Sequence, residues 1–239
     1  MPGRVIAIDG PAASGKSSVG RGVAAKLGFL FVSSGHFYRT FAWGALRDGI
    51  SPEASPEWIA ARRLEVRRHD AGVSLLLDGE DAIPHLSEAA TAAMVSPLAA
   101  VPAVRDAVNN RLRTLATEHD LVMEGRDIGS VVFPETPWKF YLDASPEERE
   151  RRRAREGFTD KVAERDRLDS TRKTAPLTIP AGADVIDTTH LDLGGVIAEV
   201  LARLGKEGIQ LPSPTSCATR SRRSSPGSSS ASESSIPRG

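Results

Sequence analysis

Short apolar runs alternate with longer stretches of helical periodicity along this chain. The run at 5–8 is continuous rather than alternating, which predicts a strand buried on both faces of a parallel sheet. Residues 16–27 then repeat apolar side chains at helical spacing, and Gly28 stands where a helix stops. Strand, helix and strand within about thirty residues predict a βαβ unit. The further strand-like runs of the predicted core are 29–32, 121–123, 139–142 and 184–186.

The pattern changes between the second and third of these strands. Residues 36–62 are mostly helical in character, with an interruption at 49–56. The runs 64–69 and 73–77 flank Asp70-Ala71-Gly72, which predicts a β-hairpin. Further helices are predicted at 87–94, 104–115, 146–156 and 193–204.

Composition narrows the function classes. The 239 residues are 40% hydrophobic and 26% charged, as in ordinary globular proteins. The formal net charge is zero, so no overall basic surface favours nucleic acid as a partner. A single cysteine forms no disulfide framework, and no apolar run is long enough to cross a bilayer. We therefore expect a cytoplasmic protein with no membrane partner, and a monomer.

The last segment differs from the rest. Residues 212–239 are rich in Ser, Pro, Gly and Arg and have almost no apolar content. Such a segment cannot bury enough surface to offset its ordering entropy, so a disordered tail is predicted. It is either a basic, phosphorylatable tail or the product of a shifted reading frame.

One motif carries chemistry by itself. Residues 10–17 read Gly-Pro-Ala-Ala-Ser-Gly-Lys-Ser, which matches G-x-x-x-x-G-K-[ST] between a predicted strand and a predicted helix. Backbone N–H groups of such a P-loop point at phosphate oxygens, Lys16 reaches the β- and γ-phosphates, and Ser17 is placed to ligate Mg²⁺. The expected ATP-binding residues are Gly10, Pro11, Ala12, Ala13, Ser14, Gly15, Lys16, Ser17 and Ser18. No Asn-Lys-x-Asp motif is present, which argues against a GTPase.

Four further stretches make the prediction more specific. They are 33–39 (Ser-Ser-Gly-His-Phe-Tyr-Arg), 95–105, 124–134 (Glu-Gly-Arg-Asp-Ile-Gly-Ser-Val-Val-Phe-Pro) and 165–172 (Arg-Asp-Arg-Leu-Asp-Ser-Thr-Arg). Together with the P-loop, the set closely resembles bacterial cytidylate kinase, in the right order from about residue 4 to residue 205. The segment 125–134 is its most specific part.

The resemblance implies a P-loop NTPase-type α/β fold: a five-stranded parallel sheet flanked by helices, a monophosphate-binding insert with a small antiparallel sheet, and a short lid. The implied divisions are core at 1–40, 105–148 and 173–211, the insert at 41–104, the lid region at 149–172 and the tail at 212–239. The implied activity is transfer of the ATP γ-phosphate to CMP or dCMP, with Mg²⁺ as the cofactor brought by ATP.

The resemblance also assigns site residues by position. The implied CMP-binding residues are Ser34, Tyr38, Arg39, Ser96, Arg105, Arg126, Asp127, Asp169 and Arg172. The implied catalytic residues, which face the transferring phosphate, are Lys16, Arg126, Arg152, Arg153 and Arg165. The chemistry agrees: a carboxylate such as Asp127 accepts from the exocyclic amino group of cytosine, whereas uracil would present a carbonyl there.

Alternatives remain at this stage. Arg126 and Asp127 could form a structural ion pair, and most arginines of 147–156 fit a solvated helix. The sequence departs from the family's pattern in two features. Ser33 stands where an Asp is usual, and the segment between the lid arginines and Arg165, residues 154–164, has only eleven residues, whereas the family's lid is usually longer. The rival functions are another small-acceptor P-loop kinase, and a nucleotide-binding regulator that uses its tail to contact a partner.

Overall fold

The structure is a computed structural model that describes residues 3–69, 72–155 and 177–209. Its centre is a five-stranded parallel sheet with the strand order β2-β6-β1-β7-β8. The strands are β1 (Val5–Asp9), β2 (Leu30–Ser33), β6 (Leu121–Gly125), β7 (Lys139–Asp143) and β8 (Asp184–Asp187). All five coincide with the predicted apolar runs, so the predicted parallel core is confirmed.

An insert follows the second core strand. It contains α2 (Ser34–Arg47), α3 (Ser55–Ala60), the antiparallel strands β3 (Leu64–His69), β4 (Gly72–Leu77) and β5 (Glu80–Asp81), a 3₁₀ turn (Ile83–His85) and α4 (Ala89–Ala99). The predicted hairpin is confirmed. The third strand was not predicted, because two residues are too few to carry a period of two.

The remaining helices flank the core sheet. They are α1 (Lys16–Leu27), α5 (Pro102–Glu118), α6 (Pro146–Arg155) and α7 (Leu193–Lys206). Helix α5 begins two residues before the predicted start, since Pro102 occupies the first turn, where its missing N–H is not needed. No helix in the described part of the chain is both long and apolar enough to cross a bilayer.

Two hydrophobic clusters lie on opposite faces of the sheet. Alternate residues of β1 divide between them: Val5 and Ala7 join the cluster that contains Phe37, whereas Ile6 and Ile8 join the cluster beneath α1 and α7. The strands are parallel, so their carboxyl ends lie along one edge of the sheet. In open α/β sheets ligands bind at that edge, and the polar strand ends Asp9, Ser33 and Glu124 are buried there.

Candidate active site

A cavity of about 320 Å³ lies at the carboxyl edge of the sheet. The P-loop lines one part of it, and the remainder comes from the β2–α2 junction, α4 and the segment before it, α5, α6 and the end of β6 with the turn that follows. The structure brings these predicted residues together around it: Ala12, Ala13, Gly15, Lys16, Ser17, Ser18, Ser34, Tyr38, Arg39, Ser96, Arg105, Arg126, Asp127 and Arg153. Residues more than a hundred positions apart in sequence thus face one space.

The P-loop needs glycine at its first position. Gly10 has φ of 148°, and a Cβ there would lie 2.0 Å from the Leu142 carbonyl oxygen of the neighbouring strand. Inside the loop, the Lys16 ammonium donates to the Pro11 carbonyl (2.5 Å) and to the Ser14 hydroxyl (3.2 Å). Gly10, Pro11 and Ser14 do not line the cavity, and their contacts with Leu142 and Lys16 fix the conformation of the loop.

Glu124 lies where the P-loop meets the acceptor side. Its carboxylate accepts from the hydroxyls of Ser33 (2.5 Å) and Ser17 (3.2 Å). Burial raises the pKa of Glu124, but Lys16, the Ser33 hydrogen bond and Arg126 together outweigh it and hold that pKa below its usual range. Ser33 is therefore held by Glu124 across the β2–β6 pairing.

These groups suit a magnesium ion. Mg²⁺ prefers oxygen ligands and keeps several waters, so it needs only one or two protein oxygens beside nucleotide phosphates. The Ser17 hydroxyl and the ionised Glu124 provide such oxygens next to Lys16. Among the described residues, no cluster of three or more His, Cys, Asp or Glu forms a separate metal centre.

A buried ion pair lies on the acceptor side. Arg105 of α5 donates to the Asp127 carboxylate, and both side chains are almost entirely buried, at 3% and 8% exposed. The Arg105 guanidinium also lies 5.8 Å from the centre of the Tyr38 ring. The sequence left open an ion pair between Asp127 and its neighbour Arg126, and the structure shows that Arg105 of α5 is a partner of Asp127.

The turn after β6 has an unusual conformation. Residues Ile128–Val132 form a π-helical turn, a feature frequent at functional sites. The Asp9 carboxylate accepts from the backbone N–H groups of Ile128 (2.8 Å) and Gly129 (2.7 Å). Complete burial raises the pKa of Asp9 to about 6, although both hydrogen bonds oppose that shift. The sequence analysis assigned no role to Asp9. The signal that could have identified it is the position of a charged residue at the end of a buried strand.

The insert supplies groups from a third direction. Arg39 donates to the Leu86 carbonyl (2.5 Å), which links α2 to the segment before α4, and Ser96 lines the cavity from α4. His36, to which the sequence gave no role, also lines the cavity. It is half-buried, and burial lowers its pKa, so it is neutral at pH 7.

The arginines of α6 divide into different environments. Arg153 lines the cavity. Arg152 instead donates to Thr188, at 2.7 Å to the carbonyl and 3.0 Å to the hydroxyl, and to Glu148 at 2.8 Å. Arg149, which the sequence left as a solvated residue, is buried and donates to the Ala144 carbonyl and to the P-loop carbonyl of Ala12. Arg165, Asp169 and Arg172, most of the short lid, and the tail lie outside the described residues.

Comparisons with known proteins agree with the motifs. A family model described as cytidylate kinase matches residues 6–206. The chain is 39% identical over 212 residues to a cytidylate kinase from Caldanaerobacter subterraneus, covering 84% of this chain and 94% of the relative. It is 43% identical over 206 residues to one from Thermus thermophilus, covering 84% and 98%. A relative from Pelotomaculum thermopropionicum with the same name is 38% identical, covering 83% and 95%.

Proposed function

The chain belongs to the cytidylate kinase family, and from this premise we propose that it transfers the γ-phosphoryl group of ATP to CMP or dCMP. One observation carries the proposal: a single cavity joins the P-loop to the buried Arg105–Asp127 pair. The P-loop suits a nucleoside triphosphate, and the Arg105–Asp127 pair presents a fixed carboxylate and guanidinium to a base.

Base selection follows from hydrogen-bonding chemistry. The cytosine ring presents an amino donor beside an unprotonated nitrogen and a carbonyl acceptor. Asp127 accepts from the amino group, while its ion pair with Arg105, whose guanidinium also lies beside the Tyr38 ring, holds the carboxylate in place. Uracil would place a carbonyl oxygen against this carboxylate, which leaves both acceptors unpaired and disfavours binding.

Phosphoryl transfer then depends on positioning and charge. An oxygen of the CMP phosphate attacks the γ-phosphorus, and the bond to the β–γ bridging oxygen breaks, so that CDP forms and ADP leaves. Lys16 stabilises charge on the transferring group from the P-loop side, and Arg126, Arg39 and Arg153 face the cavity from the acceptor and lid sides. Mg²⁺, held with ATP by Ser17 and Glu124, would neutralise the phosphate oxygens. Arg165, Asp169 and Arg172 are further candidates for contacts with the two substrates. Arg152 would contact the phosphates if it left Thr188, or it would hold helix α6 of the lid region in position.

The decisive measurement is ADP release from ATP and Mg²⁺ with each of CMP, dCMP, UMP, AMP and GMP. We expect CMP and dCMP to accelerate turnover strongly and the other three to do so weakly. If ATP binds but no monophosphate accelerates turnover, the proposed acceptor is wrong while the P-loop assignment stands. Omission of Mg²⁺ should abolish turnover with every acceptor.

A second measurement addresses the regulator alternative and the tail. Deletion of residues 213–239 should leave turnover with CMP unchanged, since the family match ends at residue 206. Loss of CMP phosphorylation on deletion would contradict the proposal that residues 1–212 suffice for the reaction. We also propose that the enzyme is cytoplasmic and monomeric. Light scattering of the full chain at micromolar concentration tests whether it is a monomer.

A further inference from the structure

Asp9 is a buried carboxylate to which the reaction described above gives no role. Each of its two oxygens accepts one hydrogen bond, from the consecutive backbone N–H groups of Ile128 and Gly129. A carboxylate has two acceptor oxygens, so it satisfies two converging donors at once. These two N–H groups follow directly after Arg126 and Asp127, which line the cavity on the acceptor side.

The backbone of Asp9 leads directly into the donor side. The next residue, Gly10, is the first of the P-loop, and it is held closely against Leu142 of the adjacent strand. Asp9 is thus linked to the ATP-binding loop by one peptide bond, and to the CMP-binding turn by two hydrogen bonds. Its side chain therefore ties these two backbone segments together.

We propose that Asp9 is a positioning residue that fixes the Arg126–Asp127 turn relative to the P-loop, and so sets the distance between acceptor and donor phosphates. The inference rests on the proposed function, because it assigns the two sides of the cavity to CMP and ATP. Misplacement of reacting groups by about 1 Å can lower a rate on the order of a hundredfold, so a link of this kind has catalytic weight.

The surroundings of Asp9 change the pH at which its carboxylate ionises. The residue paired with Asp9 on the neighbouring strand β7 is Tyr141. Burial and the nearby Asp127 raise the pKa of Asp9, whereas the two hydrogen bonds and Lys16 lower it, and the resulting pKa is about 6. Because this value exceeds that of an unfolded aspartate, the folded chain binds the proton more tightly. The contribution of this group to unfolding free energy therefore falls as pH rises from about 4 to about 6.

The test compares Asp9→Asn with Thr136→Val in the full chain. An asparagine offers one acceptor oxygen and turns an NH₂ group toward the second backbone N–H. Thr136 is a matched control, because its buried hydroxyl donates to the Val5 carbonyl at the other end of the same strand (2.5 Å) and does not line the cavity. For each protein, kcat and KM for CMP, the Kd of a fluorescent ATP analogue without CMP, and the unfolding temperature are measured.

We expect Asp9→Asn to lower kcat/KM for CMP by about 30-fold while the Kd of the ATP analogue stays within about twofold. Thr136→Val should lower the unfolding temperature at least as much, with kcat/KM within about twofold of wild type. The inference is overturned if Asp9→Asn keeps its kcat/KM for CMP, if the ATP analogue is weakened equally, or if Thr136→Val loses as much activity.

A measurement on the wild type keeps the inference testable if Asp9→Asn does not fold. Cytidine binding is followed by calorimetry at pH 7.5 and 5.5, because cytidine has no phosphate to titrate. Protonated Asp9 keeps only one acceptor for the two N–H groups, so we expect the affinity to fall by about threefold or more at pH 5.5. An unchanged affinity would overturn the inference. Wild-type turnover with CMP tests the proposed function separately, whereas only ratios to wild type and the pH effect test Asp9.

Discussion

The donor and acceptor sides of the cavity are built in different ways. The proposed donor side is one continuous segment, residues 10–17, which offers a curved backbone and a single lysine to a phosphate chain. The proposed acceptor side combines side chains from α2, α4, α5 and the turn after β6. A phosphate needs only converging N–H groups, which a short loop supplies. A base needs donors and acceptors at fixed separations, which requires rigid elements from several directions.

This difference predicts different responses to mutation. Changes on the donor side should reduce turnover with every acceptor and leave folding nearly intact. Changes on the acceptor side should alter stability and acceptor choice together, because the same buried groups hold the fold and read the base. Glu124, which contacts both Ser17 and Ser33, lies between the two cases.

The largest expected effect is the loss of the buried ion pair. Arg105→Ala leaves the Asp127 carboxylate buried without this partner, so we expect about 3 kcal/mol less unfolding free energy in a urea titration. Arg4→Ala is the control, since it breaks an exposed pair with Asp120 and should cost less than about 1 kcal/mol. Equal losses for the two variants would contradict the view that the acceptor side is part of the structural core.

The next effect concerns the donor side alone. Lys16→Ala should lower kcat/KM by on the order of a hundredfold or more for every acceptor, since an aimed charge contributes about 3 kcal/mol to the transition state. Its unfolding temperature and cytidine affinity should stay near those of wild type. Lys26→Ala, an exposed lysine on the same helix, should leave all three quantities unchanged. Weakened cytidine binding in Lys16→Ala would mean that the two sides are not separable.

A smaller effect separates base selection from catalysis. Asp127→Asn presents a mixed donor and acceptor in place of a carboxylate, so the preference for CMP over UMP should fall by about 2 kcal/mol. The ratio of kcat/KM values for CMP and UMP gives this quantity directly, and the Kd of an ATP analogue serves as the internal control. An unchanged ratio in a folded variant would show that another residue reads the base.

The smallest effect lies at the junction of the two sides. Ser33→Ala removes a hydrogen bond that helps hold the pKa of Glu124 below its usual range. A carboxylate with a lowered pKa stays ionised until the pH falls through that lowered value, so loss of the bond should move the acid limb of the kcat profile to higher pH. At neutral pH, the decrease in kcat of Ser33→Ala should correspond to about 1 kcal/mol or less of transition-state stabilisation. Profiles of kcat from about pH 3.5 to 8 decide, because the usual pKa of a glutamate is about 4.3, and an unmoved acid limb would contradict the role given to Ser33.

Much of this site could be predicted from local sequence. The P-loop, the five core strands and the family were recognisable because each depends on residues close together in the chain or on a recurrent motif. Three relations were not recognisable: the pairing of Arg105 with Asp127, the hydrogen bonds from Ile128 and Gly129 to Asp9, and the contact of Arg149 with the Ala12 carbonyl. Each joins residues from 22 to 137 positions apart, where no periodicity or spacing rule applies.

The division has a physical basis. Short-range sterics and hydrophobic periodicity act within a few residues, so the sequence by itself determined the strands, the helices, the phosphate-binding loop and the class of chemistry. Partners for buried charges are chosen only when the chain packs, since desolvation makes each such group depend on whichever donor or acceptor the fold brings to it. The tertiary structure therefore decided that Asp127 is fixed by a helix, that Glu124 stays ionised, and that Asp9 joins the two sides of the cavity.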